Sequence, residues 1–218
     1  MTTTTLDMPR TALRRGAWGR FFPALGGLGL VAGLIAMLVS PAGEDTGESA
    51  RQVVAHAQSH DAWIVATALF GVASIALGGA FVAGLHARLH GLASQVESAL
   101  VLIGGTVFTL CFCLSFVIWS APLVDMPGDS AAALAQAQAY LSYDDIGWFV
   151  FAAAGVAAAV MAVSASLAAI RAGVPAWLGW LGVAVGTLSL GTVAFLGMFA
   201  WMAWIAVASL VLLAPPRR

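Results

Sequence analysis

All four histidines of the chain fall in two H-x-x-x-H pairs, His56 with His60 and His86 with His90. Positions four apart share one face of a helix, a spacing that suits two imidazoles on a single metal ion. The first pair continues a polar stripe of Asp45, Glu48 and Gln52. Glu48 is therefore the candidate third ligand, a carboxylate, for zinc or copper. The competing reading of the stripe is the solvated face of an interfacial helix, with no metal or other cofactor. Neither pair carries the glutamate of an H-E-x-x-H metalloprotease. His86 and His90 flank Arg88 and, with Glu97, make a second candidate polar site. Glu97 reads there either as an acid favoured by a helix N-terminus or as part of a cavity that binds a polar headgroup. Cys111 and Cys113 stand about 200° apart on a helix, so they cannot bond to each other and read as packing groups.

The elements that must hold these groups follow from composition. Hydrophobic residues make up 61% of the 218 and charged residues 9%, with a mean hydropathy of +0.95. A soluble domain carries about 25% charged residues, so the chain reads as an integral membrane protein. All nine basic residues are arginine, and the net charge is -1. That leaves no basic face for nucleic acid.

Charge-free runs count the spans. Residues 21–43, 62–85, 98–124 and 146–170 each lack Asp, Glu, Arg and His, and each exceeds the ~20 apolar residues that cross a bilayer. The last run, 172–216, would extend about 67 Å as one helix, so it must fold back near Gly191 and Gly197. The expectation is an all-α polytopic fold of six transmembrane helices in a single domain over 21–214. The spans lie at about 21–41, 62–86, 98–122, 146–170, 175–192 and 196–214. Residues 1–20 and 215–218 form tails. A signal peptide is not favoured, because the first apolar run outlasts a signal core.

With six spans, Arg10, Arg14, Arg15, Arg20, Arg88, Arg171, Arg217 and Arg218 share one side, and Arg51 stands alone on the other. The positive-inside rule then places both termini in the cytoplasm of a cell with this protein in its inner (plasma) membrane. Trp18, Trp63, Trp119, Trp148, Trp177 and Trp180 fall near the expected interfaces, as an aromatic belt requires.

The chain resembles itself. Pro41 and Gly47-Glu48-Ser49-Ala50 match Pro122 and Gly128-Asp129-Ser130-Ala131 at an offset of 81. Asp61 and Gly71 match Asp145 and Gly155 at 84. The repeating unit is a helix, an acidic external segment and a second helix, giving a parallel hairpin repeat. The external segments read as two short interfacial helices, the first capped by Asp45 or Thr46 and the second starting at Pro127 or Asp129. Gly29/Gly33 and Gly182/Gly186 are G-x-x-x-G pairs, which serve either a dimer face or packing within the chain. Thr106, Thr109, Ser115, Ser164 and Ser166 suit hydrogen bonds between helices.

Two features together resemble a known bacterial family. One is the order helix, external amphipathic segment, and helix ending in a Leu-His cytoplasmic turn, followed by Glu97 opening the next helix. The other is the loop Arg171-Ala-Gly-Val-Pro175-Ala-Trp177-Leu-Gly179-Trp180-Leu-Gly182. The family consists of six-helix membrane proteins known only as a domain of unknown function. The resemblance implies a six-helix bundle and carries no activity with it.

No ionisable residue falls inside an expected hydrocarbon core, which argues against proton relays, ion-coupled transport and a buried Ser-His-Asp site. The leading expectation is a non-enzymatic bundle that binds a lipid or hydrophobic ligand, or serves as a membrane partner subunit or homo-oligomer. The alternative is an interfacial metal-binding protein or oxidoreductase using His56 and His60. A small-molecule transporter is the third reading.

Overall fold

Among the described residues, serine caps and glycine turns help divide the chain into seven α-helices. The structure is a computed structural model that describes residues 18–40, 49–128, 130–194 and 196–214. The helices are α1 (Trp18–Leu38), α2 (Ala50–Ser59), α3 (Asp61–Leu89), α4 (Gln95–Ser120), α5 (Ala131–Arg171), α6 (Ala176–Leu188) and α7 (Leu196–Leu213). A 3₁₀ segment, Ser189–Ala194, joins the last two. Among the described residues there is no strand. By length and composition, α1, α3, α4 and α5 can each cross a membrane, while α6 and α7 are shorter apolar helices.

Local chemistry sets the boundaries. At α2 the Ser49 hydroxyl accepts the Gln52 amide, and the Ser49 amide donates back to Gln52 Oε1 at 3.1 Å. This capping box corrects the expectation that Asp45 or Thr46 starts the helix. A serine with a Gln three residues on satisfies two backbone donors at once. At α5 Ser130 accepts the Ala133 amide at 3.2 Å, so the cap is Ser130 rather than Pro127 or Asp129. The left-handed glycines Gly91 (φ +85°) and Gly173 (φ +82°) turn the chain just beyond α3 and α5, a backbone conformation that costs a side-chain-bearing residue energy.

A larger expectation is also overturned. The segment read as a separate interfacial helix before the span at 146–170 is continuous with it, and α5 runs unbroken for 41 residues. At 1.5 Å per residue it is about 61 Å long, twice a ~30 Å hydrocarbon core. No proline interrupts it, and Gly147 lies beneath the Trp119 indole rather than at a turn. The first segment does break. His60 leaves helical geometry at φ -127°, ψ 25° and separates α2 from α3.

Consecutive long helices run antiparallel, in a register read from their glycines. Pro23 of α1 sits against Gly84 of α3, Gly78 of α3 against Thr109 of α4, and Gly104 of α4 against Ala157 and Met161 of α5. Gly179, Gly182 and Gly186 of α6 lie along Ile170, Ser166 and Val163 of α5. Gly27 of α1 meets Ser209 of α7, which closes the ring of helices. A Cβ at Gly26 would collide with the Leu77 backbone carbonyl, so only glycine lets α1 approach α3 this closely. Both G-x-x-x-G pairs pack inside the chain, Gly29 and Gly33 on Leu77 and Phe70, and Gly182 and Gly186 on α5.

Two apolar cores result. The larger fills the bundle with Phe81, Phe108, Phe112, Phe116, Phe151 and Trp201, all buried. Trp201 stacks edge-on to Phe108 at 5.2 Å and to Phe112 at 5.9 Å, with Phe151 at 6.3 Å. The smaller core lies where α2 rests on the first third of α5, with Val53, Val54 and Ala57 against Ala133, Ala137 and Tyr140. α2 and the first third of α5 together form the cap.

Candidate functional site

The bundle has two chemically distinct ends. α1 and α4 begin, and α3, α5 and α7 finish, at one of them. This arginine end carries the second candidate site of the sequence, His86, His90 and Glu97. The structure divides that set. Glu97 is buried, at 6% exposure. Its Oε2 accepts the Ser94 amide at 3.0 Å and the Ser94 hydroxyl at 3.1 Å, and its own amide donates to Ser94 Oγ at 3.2 Å. That capping box is the N-terminal acid reading of Glu97. Its Oε1 binds Arg171 Nη1 at the end of α5.

His86 instead meets the next residue of α4, its Nδ1 lying 3.2 Å from Ser98 Oγ. Positions 97 and 98 point about 100° apart on a helix, so the carboxylate and the imidazole serve two different seams. His90 stands beside His86, ring centroids 5.9 Å apart. Arg88 reaches across to α7, its Nη2 donating to the Ala214 carbonyl at 3.3 Å. Three seams at this end are thus bridged by a basic side chain: α4/α5 by Arg171, α3/α4 by His86 and α3/α7 by Arg88.

The cap end holds the first pair. The His56 and His60 rings lie 4.7 Å apart with planes tilted by 39°. His60 Nδ1 is 2.9 Å from Ser59 Oγ and 3.1 Å from the His56 carbonyl oxygen. These contacts hold His60 at the break between α2 and α3. Glu48, the candidate third ligand, lies outside the described residues, as do Asp45 and Asp129. Among the described residues no three His, Cys, Asp or Glu side chains gather in a metal-sized group.

The expected interhelical hydroxyl bonds take a different course. Thr109 and Ser115 donate to the Gly105 and Cys111 carbonyls of their own helix, each at 2.8 Å. Ser166 does bond across helices, accepting Trp204 Nε1 at 3.3 Å. Hydroxyls in an apolar medium find the i-4 carbonyl of their own turn first. Ser74 and Ser209, both fully buried and bonded to their own helices, join this set without any distinguishing signal in the sequence. The pairing of Arg171 with Glu97 is likewise hard to see in the sequence. The two are 74 positions apart, and the only signal was that each ends a span on the same expected side.

No family model, curated protein or solved structure matches the chain.

Proposed function

We propose that the chain is a six-span integral membrane protein working as a non-enzymatic bundle, one that binds a lipid or hydrophobic ligand or serves as a membrane partner subunit. The carrying observation is the filled centre: Phe108, Phe112, Phe151 and Trp201 interlock where a substrate path or reacting group would lie. Charge reinforces it, since the buried ionisable side chain Glu97 sits at a helix end, locked in a cap and an ion pair. A coupled transporter needs such a group inside the membrane, which makes transport the weaker reading.

Length supports six spans. The apolar helical stretches Ala176–Gly191 and Gly197–Leu213 extend about 24 Å and about 26 Å at 1.5 Å per residue, each most of one ~30 Å hydrocarbon thickness. The same even count supports both termini on the arginine side, which the positive-inside rule assigns to the cytoplasm of a bacterial inner membrane. α1 to α3 and α4 to α5 form two successive hairpins, each bearing a cap segment, which favours the parallel repeat and the resemblance to the six-helix family. Reporters fused after Arg218 and inserted near Gly47 should read cytoplasmic and external. A C-terminus found outside overturns the six-span reading.

One observation favours a second reading. The facing rings of His56 and His60 suit an interfacial metal site, with Glu48 or Asp45 as carboxylate. Native mass spectrometry of gently extracted protein, beside a His56→Ala/His60→Ala variant, separates the two. Bound lipid or a second polypeptide supports the leading reading. A metal-sized adduct lost in the variant replaces it.

A further inference from the structure

At the arginine end, Arg171 is both held and displayed. Its Nη1 is committed to Glu97, yet the side chain remains 59% exposed. A guanidinium carries five N–H donors in one rigid plane, so fixing one nitrogen from inside orients the remaining donors outward. Glu97 is itself fixed by Ser94, through the amide and the hydroxyl. The arginine is therefore preorganised, and little side-chain entropy is lost when it takes a second partner.

The surroundings select an anion. Arg88 and both His86 and His90 share this end, and Glu97 is the one acid there among the described residues. The planar fork of arginine matches two phosphate oxygens, which an ammonium cannot do, and the chain has arginine at every basic position. The surroundings also select a depth. Trp177 and Trp180, just beyond the Gly173 turn, are largely exposed, and exposed tryptophans next to apolar helix surface mark the headgroup level of a bilayer.

We propose that Arg171, positioned by Glu97, binds the phosphate of an anionic phospholipid at the seam between α4 and α5. This deepens the lipid-binding reading above and rests on it. The full chain, delipidated in mild detergent and returned to nanodiscs of phosphatidylglycerol and phosphatidylcholine in equal parts, is released into a native mass spectrometer and its retained lipids are counted. The wild type should keep phosphatidylglycerol over phosphatidylcholine by about tenfold, Arg171→Ala should lose that preference, and Arg171→Lys should recover only part of it. Glu97→Gln should fall between wild type and alanine, because the cation persists without its brace. Arg51→Ala, on the cap, should match wild type.

An unchanged preference in Arg171→Ala and Arg171→Lys overturns the headgroup site while leaving lipid binding intact. Absence of any retained lipid in the wild type overturns the underlying reading instead. Inorganic phosphate at 1–10 mM is the second arm (about the range in which a single weak anion contact saturates). If phosphate binds in lipid-free detergent as tightly as it displaces phosphatidylglycerol, the ligand is a free anion and the lipid assignment falls. If Arg171→Ala does not fold, the lysine variant decides.

Discussion

At the arginine end, neighbouring helices are joined by side chains that reach across: Arg171 to Glu97, His86 to Ser98, Arg88 to the Ala214 carbonyl. At the cap end, the capping bonds stay within their own segment, Ser49 with Gln52 and His60 with Ser59 and His56, and Gln136 of α5 donates to the Pro122 carbonyl at 2.8 Å. There α2 is held to α5 by Val53, Val54 and Ala57 on Ala133, Ala137 and Tyr140. On the membrane reading the difference follows from the medium. α5 outruns the hydrocarbon by half its length, so on the membrane reading the cap lies in water and headgroups, where burying apolar surface is favourable at about 25 cal/mol per Å². Within hydrocarbon that driving force vanishes, and helices associate through close packing and polar bonds instead. Between the two ends, glycine contacts and interlocked aromatics do the packing.

The comparison can be broken most severely in the bundle centre. Trp201→Ala should cost about 3–5 kcal/mol, the range for emptying a large aromatic site. Thermal unfolding in detergent should show a correspondingly large drop, and an unchanged melting temperature would refute a packed centre. Next comes Gly26→Val, which forces α1 off the Leu77 carbonyl. Overpacking of this kind costs about 1–3 kcal/mol, and the loss should appear as poor yield and aggregation on size exclusion.

Glu97→Ala sharpens the contrast between the ends. It removes half of a capping box and strands Arg171 without its carboxylate, for about 1–2 kcal/mol. Because the residue joins α4 to α5, the whole bundle should melt earlier. Ala137→Leu, at a fully buried cap position, should behave differently. Amide exchange over 50–59 should rise sharply while the bundle transition moves by less than about 1 kcal/mol, since a hydrophobic contact at one end opens locally. A uniform loss across the molecule would mean the two ends are not separable. Ser49→Ala is the mildest, at about 1 kcal/mol, confined to exchange at the start of α2.

Much of the architecture was legible because hydrophobicity writes itself into composition. Runs without charge marked α1, α3, α4 and the second half of α5. The fold-back of the last run near Gly191 matches the 3₁₀ segment, Ser189–Ala194. Whether an apolar boundary is also a helix boundary was not legible. The segments before Asp61 and before Asp145 look alike in sequence, yet His60 breaks one helix and α5 runs straight through Asp144 and Asp145. Charge pattern reports where water begins, whereas helix continuity depends on backbone hydrogen bonds and on the surface each segment packs against. The roles of Ser49 and Ser130 as caps were likewise outcompeted in the reading by nearby aspartates, although Ser49 with Gln52 was a visible capping box.

Residue types alone determined that the chain is helical and apolar enough for a membrane, that its histidines pair at i and i+4, and that Glu97 opens a helix. Those are properties of single positions and of periodicity, which a one-dimensional string carries. Only the tertiary structure decided that Glu97 answers Arg171 rather than His86 or His90, and that both G-x-x-x-G pairs face inward. It also decided that four aromatic rings from three helices meet at the centre. Each of these joins positions far apart in the chain, and which of them meet is set by helix rotation and register, to which all the packed surfaces contribute together.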